Sequence, residues 1–501
     1  MRICPFCLRK IESNHIDFLF DKEFTEWDFM EHMGGADDFV LNAREDRKYH
    51  KFREKKKLSV TDRTDTMRVY VNQSELYPLI NLLRRRCGLD TAENVWDENN
   101  CIDETFTFED GLELSIQYSS RDNEDSVLKI QSGIQTARAN MICSHCHNIL
   151  PSGFFHYPQI TLGLIGKKDA GKTCMLVSLL ANNMKAINGS KVLHFTEAQT
   201  MQDANYRELR RKVTLLEEQG ICPDSTRGEF IAPVMLRAEW RIEQEKHHAM
   251  VCIYDAAGEL LEKPSENTDI LENVMHTDGW LYLIDPRNTR LGTMVETLSK
   301  ENKTAILQKA GIANIYEQRK RQQDIHRQGR RTVHDVIQDL LTDVNTEAQI
   351  RNFYNHLWHC YLGQGLQEED ECVPEVALIL SKSDEMISFL NEKYGEADLF
   401  NREMNYISAE GNERWKDRKE TIRKIFEEYV IDVDNLNADY PSVPDVYLAS
   451  ALGCATKQEN TEEKTLIYKV DGRYDPIRVG EAFVRMTMNL MQNRSEGNGE
   501  R

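Results

Sequence analysis

Ile160-Thr161-Leu162-Gly163-Leu164-Ile165-Gly166-Lys167-Lys168-Asp169-Ala170-Gly171-Lys172-Thr173 decides how the chain is read. The apolar half reads as a buried strand, and Cys174-Met175-Leu176-Val177-Ser178-Leu179-Leu180-Ala181 reads as a helix packed on a sheet. Strand, glycine-bearing turn and helix, in that order, form the setting of a phosphate-binding loop. Two glycines let the backbone wrap close to phosphate oxygens, so that successive N–H groups point inward. The candidate phosphate contacts are Gly166, Lys168, Asp169, Ala170, Gly171, Lys172, Thr173 and Cys174. The Lys172 ammonium would reach the outer phosphates, and the Thr173 hydroxyl would bind Mg²⁺. The bland alternative is a chance match in a glycine-containing loop.

Working outward, the 501 residues suffice for two to four domains. Lys and Arg total 63 against 83 Asp and Glu, a formal net charge of −20, which argues against broad binding to nucleic acid or to an anionic membrane. No apolar run is long enough to span a bilayer, and the N-terminus lacks the apolar core of a secretion signal. Twelve cysteines are too sparse for a disulfide scaffold and fit a reducing cytoplasm, with some thiols given to metal.

Cys4-Pro5-Phe6-Cys7 and Cys143-Ser144-His145-Cys146 each have the C-x-x-C spacing that lets two thiolates share one tetrahedral Zn²⁺. Together, Cys4, Cys7, Cys143 and Cys146 would close a structural site, with His145 or His147 able to replace one thiolate. Two unrelated pairs of reduced cysteines are the alternative. The segment between them, roughly 12–140, reads as an α+β insertion. Thr105–Phe108 and Leu112–Tyr118 alternate around Glu109-Asp110-Gly111 as a hairpin. Met67–Val71 reads as a strand and Ser74–Cys87 as a helix with Leu76, Leu79, Ile80 and Leu83 on one face. The basic runs Arg47–Lys57 and Arg84–Arg86 read as solvated helix faces.

Downstream of the loop, a long polar stretch reaches about residue 225. Val234–Ile242 and His248–Tyr254 then form an antiparallel pair ending in Asp255-Ala256-Ala257-Gly258-Glu259. Further buried strands are Gly279–Asp285, Val376–Leu380 and Val446–Ala449, and the last helix is Glu481–Met491. Near-continuous apolar strands separated by helical segments imply an α/β fold: a mostly parallel sheet with helices on both faces. This gives a zinc-knuckle region 1–157, a second domain 158–492 with helical insertions at 290–370 and 385–444, and a disordered tail 493–501. Each strand end carries chemistry. Asp255 can hold Mg²⁺ through water, and the Gly258 N–H can meet a γ-phosphate. Asp384, in Ser381-Lys382-Ser383-Asp384, can accept from the N1–H and N2–H₂ of guanine while Lys382 lies along the base plane. Adenine offers neither donor. At Ser450 and Ala451, a backbone N–H can meet guanine O6.

This ordered set, Gly166 to Thr173, Asp255 to Gly258, Ser381 to Asp384 and Ser450-Ala451, resembles that of the translation-factor-related (TRAFAC) P-loop GTPases. With N-terminal zinc knuckles, it is similar to the double-GTPase families of bacterial conflict systems. The resemblance implies a GTP-binding switch, slow in hydrolysis without a partner, acting through a protein effector or activator in anti-phage defence. Three positions depart from the pattern: Ser381 replaces Asn or Thr, Leu452 replaces a Lys, and Glu259 stands where a glutamine orients the attacking water. Thr226, in Pro223–Phe230, is the expected switch I residue, binding Mg²⁺ beside Thr173 and Asp255. Lys172, Thr226 and Glu259 are the catalytic candidates. Two other readings stay open: an ATP-dependent P-loop protein, in which Ser381–Asp384 is an ordinary polar turn, and a nucleotide-bound scaffold without hydrolysis.

Overall fold

The computed structural model describes residues 2–12, 15–20, 40–42, 46–55, 69–72, 76–97, 101–119, 125–133, 135–167, 170–188, 193–198, 204–223, 233–242, 245–255, 277–292, 346–355, 373–395, 398–402, 406, 409–434, 436, 443–460 and 466–497. Its largest sheet has seven strands: β1 (Gln159–Gly166), β2 (Leu193–Glu197), β3 (Val234–Ile242), β4 (Glu245–Asp255), β5 (Gly279–Ile284), β6 (Glu375–Leu380) and β7 (Asp445–Leu448). Their spatial order is β2-β3-β4-β1-β5-β6-β7. The run β1-β5-β6-β7 is parallel, whereas β3 and β4 form an antiparallel hairpin. Every residue of β1 and β5 is buried, which is why both strands read as unbroken apolar runs. Gly163 in β1 pairs with Trp280 in β5, where a Cβ would stand 2.2 Å from the indole. The indole occupies the space that a larger residue would take.

By internal packing the chain divides into two compact units. The first comprises residues 1–161, 195–210 and 227–254. In it, Asn140–Cys143, Ile16–Phe20, Val69–Asn72 and Val40–Asn42 form one antiparallel sheet. Cys101–Thr107, Glu113–Ser119, Val127–Ser132 and Gln135–Arg138 form an antiparallel meander. The first turn of that meander is the expected one, with Gly111 at φ 84°. The helix Leu76–Arg86 buries the expected face, Leu76, Leu79, Ile80 and Leu83. Met235, Met250 and Cys252 of the β3–β4 hairpin share one hydrophobic core with Phe6, Phe18 and Phe154. That shared core places the hairpin with this unit, although in sequence it lies well past residue 158.

The second unit comprises residues 162–194, 211–226 and 255–501. Helix α1 (Lys172–Ser178) follows the loop, and its continuation leaves helical geometry at Ala181, with φ −77° and ψ −135°. The residues up to 225, read as a polar stretch, contain β2 and helix α2 (Ala204–Gln219). In α2 the buried Tyr206, Leu209, Val213 and Leu216 keep a helical period that intervening charges dilute. The 385–444 insertion contains the helix Ile387–Tyr394 and helix α3 (Ala409–Tyr429). Trp415 of α3 stacks on Tyr447 of β7 at 4.7 Å. Helix α4 (Glu481–Gly497) packs on β5 and β6 and runs past Arg494, so the first part of the expected tail is helical. A hairpin, Thr456–Asn460 with Leu466–Val470, was not anticipated. Most of the 290–370 insertion lies outside the described residues, as do Lys168, Asp169, Thr226, Gly258 and Glu259.

Candidate nucleotide site and cysteine centre

The nucleotide candidates of the second unit gather at the carboxyl ends of the parallel strands, where open α/β sheets bind ligands. Gly166 ends β1 at φ 152°, with a Cβ position only 2.5 Å from the Leu283 carbonyl oxygen. Gly171 precedes α1 at φ 88°, a left-handed conformation that suits glycine. Between these two turns, Lys172 Nζ donates to the carbonyl oxygens of Gly166 (2.8 Å) and Lys167 (3.0 Å). The ammonium thus sits over the loop that would wrap phosphate. Thr173 Oγ1 donates to Asp255 Oδ2 at 3.4 Å. Burial pushes the Asp255 carboxyl up to about 6, against the pull of Lys172, the Thr173 hydroxyl and Lys212. A buried hydroxyl beside a half-buried carboxylate is an oxygen-donor pair of the kind Mg²⁺ prefers, and a cation there would hold the acid ionised. Lys212, on α2, was not singled out in the sequence.

On the base side, Ser381 Oγ bonds the Ala170 carbonyl (2.8 Å) and the Ile284 carbonyl (3.0 Å). Short as it is, this residue therefore braces the loop. Lys382 adopts φ 49° and ψ 32°, and its Nζ donates to Asp285 Oδ2 at 2.8 Å. Asp384 accepts a hydrogen bond from Ser450 Oγ. Burial raises the Asp384 carboxyl, while Ser450 and Lys382 oppose the shift. The expectation for Ser450 needs a correction. Its backbone N–H is spent on Ile477 O at 2.9 Å, so the amides that could meet a base oxygen are those of Ala451 and Leu452. Ser450 acts instead through its hydroxyl, which also accepts from Gly453 N at 2.9 Å. Burial pushes the Cys174 thiol up to about 11, which makes it a neutral wall residue beside Lys382. Sequence reasoning missed Asp285 and Arg287; the only signal was an aspartate ending an apolar strand.

In the first unit, Cys4, Cys7, Cys143 and Cys146 converge, with all four sulfurs within 4.8 Å of one another. Cys4 Sγ lies 3.8 Å from Cys146 Sγ, and Cys7 Sγ 3.8 Å from Cys143 Sγ. Four sulfurs each ~2.3 Å from a central Zn²⁺ in a tetrahedron stand ~3.8 Å apart, so the set fits. The two knuckles repeat one geometry. Leu8 N donates to Cys4 O and His147 N to Cys143 O, and Leu8 and His147 have φ 60° and 53°. Burial pushes the Cys4 and Cys146 thiols far up, a penalty that a divalent cation would offset. His147 does not replace a thiolate. Its ring is buried between carboxylates, with Nε2 3.0 Å from Asp17 and Nδ1 2.8 Å from Asp46.

Residues 160–352 match the family model of Double-GTPase 2. No curated protein matches the chain. No helix among the described residues is long and apolar enough to cross a membrane.

Proposed function

We propose that this double-GTPase-type protein is a Mg²⁺-dependent GTP-binding switch that hydrolyses GTP slowly until a partner protein engages it. The match at 160–352 supports the nucleotide-binding core, and the base-reading residues lie beyond it. The observation that carries the guanine reading is therefore geometric. Ser381 ties the end of β6 to Ala170 of the phosphate loop, while three residues on Asp384 pairs with Ser450 after β7. Phosphate grip and purine reader are thus built as one body.

In this reading, loop amides and Lys172 hold the β- and γ-phosphates. Thr173, Asp255 and Thr226 hold the cation, which supplies positive charge against the phosphate oxygens. Asp384 accepts from the two guanine donors, Lys382 lies along the ring, and the Ala451 or Leu452 amide donates to O6. Water attacks the γ-phosphorus, the bond to the β-phosphate oxygen breaks, and GDP and inorganic phosphate leave. Glu259 accepts a hydrogen bond from that water but lacks the amide N–H that would donate to the γ-phosphate. This accounts for slow turnover without a partner. The zinc-knuckle region and the helical insertions carry the signal to that partner, in the cytoplasm and in anti-phage defence.

Competition of GTP, ATP and XTP for a fluorescent nucleotide tests the reading. Lys172→Ala should abolish binding of all three. Asp384→Asn should move the preference from guanine toward xanthine, whose C2 carbonyl replaces the amino donor. Guanine preference unchanged in Asp384→Asn would refute the base assignment, and ATP outcompeting GTP on the wild-type protein would favour the ATPase reading.

A further inference from the structure

Asp285 caps the end of β5 with a carboxylate that is 3% exposed. Its Oδ1 accepts from the Arg287 backbone N–H and from Arg287 Nε, both at 3.0 Å. Its Oδ2 accepts from Arg287 Nη2 at 2.6 Å and from Lys382 Nζ at 2.8 Å. Lys382 is held at three points along its length. Its backbone sits in the left-handed region, its Cε passes 3.8 Å from the Cβ position of Gly171, and its ammonium ends on Asp285. A lysine chain carries much rotamer freedom, and pinning both ends removes that cost before a ligand arrives. A competing acceptor is Asp384, two residues along, whose carboxylate also feels the Lys382 charge. An unpinned ammonium would swing to that carboxylate and mask the acceptor meant for the purine.

We propose that Asp285 is the positioning residue for base selection: it draws Lys382 across the phosphate loop and away from Asp384, leaving Asp384 open to guanine. Arg287 keeps the carboxylate charged and oriented, and its own contact to Glu385 at 3.7 Å holds it at the mouth. The inference rests on the GTP reading above and deepens it.

The test measures Kd for GDP, GTP, ADP and ATP on the full chain, with thermal unfolding of the nucleotide-free protein alongside. Asp285→Asn should weaken guanine nucleotides about tenfold, the effect of one lost charge-assisted bond, with adenine nucleotides unchanged. Lys382→Met, which keeps the stem and removes the ammonium, leaves nothing to cover Asp384 and should keep the guanine preference. The double variant should regain the guanine preference that Asp285→Asn alone loses, because no ammonium is left to cover Asp384. Asp285→Glu should recover part of the preference. Equal loss for all four nucleotides, or a double variant that stays as weak for guanine nucleotides as Asp285→Asn, would make Asp285 a merely structural residue and overturn the inference. If Asp285→Asn fails to fold, Lys382→Met alone decides, since a selective loss of guanine nucleotides there would mean the base needs the ammonium and would overturn the inference. Wild-type protein without guanine preference would refute the GTP reading itself, a different outcome.

Discussion

Replacing Ser381 by alanine isolates the brace between the base side and the phosphate loop. Ser381 has one hydroxyl hydrogen and two carbonyl neighbours, Ala170 O and Ile284 O. Ile284 O keeps another donor after the change, because the Ser381 backbone N–H bonds it at 2.9 Å. Ala170 is fully buried, so its carbonyl oxygen loses a donor that water cannot replace. Leaving one buried carbonyl bare costs about 1–2 kcal/mol, and the loss is concentrated on the loop itself. At 1.4 kcal/mol per factor of ten, nucleotide affinity should fall roughly five- to thirtyfold. The loss should be equal for GTP, GDP and ATP, because the loop touches phosphates that all three share. Titration calorimetry with Mg²⁺ gives the affinities, and denaturant unfolding of the nucleotide-free protein gives the stability change. Ser381→Thr, which retains the hydroxyl, should keep most of the affinity. An unchanged affinity for all nucleotides in Ser381→Ala, or a loss confined to guanine nucleotides, would refute the bracing argument.

Three further outcomes follow from the same structure. Cys146→Ser should reduce bound zinc from one per chain to a weakly held fraction, read by metal analysis after dialysis against a chelator. Hydrogen exchange should then rise in residues 2–12 and 140–150 before it rises in β5 or β6; retained stoichiometric zinc would contradict a four-thiolate site. Glu375, raised from 4.5 to about 7 by burial and by Asp445 against the help of Asn489, is the reverse of a salt-bridged carboxylate. Its favourable contribution is complete below about pH 4.5 and disappears as pH rises through 7, so Glu375→Gln should match the wild type at pH 5. At pH 8 the variant should exceed it by on the order of 1–3 kcal/mol in denaturant unfolding, and an equal gap at both pH values would contradict the shift. Thr173→Val should remove Mg²⁺-dependence from GTP affinity while leaving Mg²⁺-free GDP binding within about threefold, read by fluorescent nucleotide titration.

What could be read in the sequence was chemistry of fixed local spacing. Gly166 to Thr173 shows itself because a loop around phosphate needs its glycines at set intervals, and the C-x-x-C knuckles do so because two thiolates on one metal need a tight turn. The central strands were legible for a different reason: burial on both faces leaves few polar residues to confuse the reading. Strand β2 and helix α2 were harder, since Leu193 and Phe195 are the only buried apolar pair of a five-residue edge strand and charges break the face of α2. The hairpin of Thr456–Asn460 with Leu466–Val470 hid because its first strand, Thr-Lys-Gln-Glu-Asn, carries no apolar residue to mark it.

The contacts that organise the site were illegible because each joins residues far apart in the chain through a generic polar group. Nothing in Ser381 announces a bond to Ala170, and nothing in Asp285 announces Lys382. Both follow from the parallel register that sets the end of β5 between the phosphate loop and the end of β6. The same geometry explains why a side chain as short as serine suffices at this position. With β6 ending directly against Ala170, a hydroxyl one bond from Cβ already spans the gap at 2.8 Å, in a position only 5% exposed, and it holds the loop without a longer side chain.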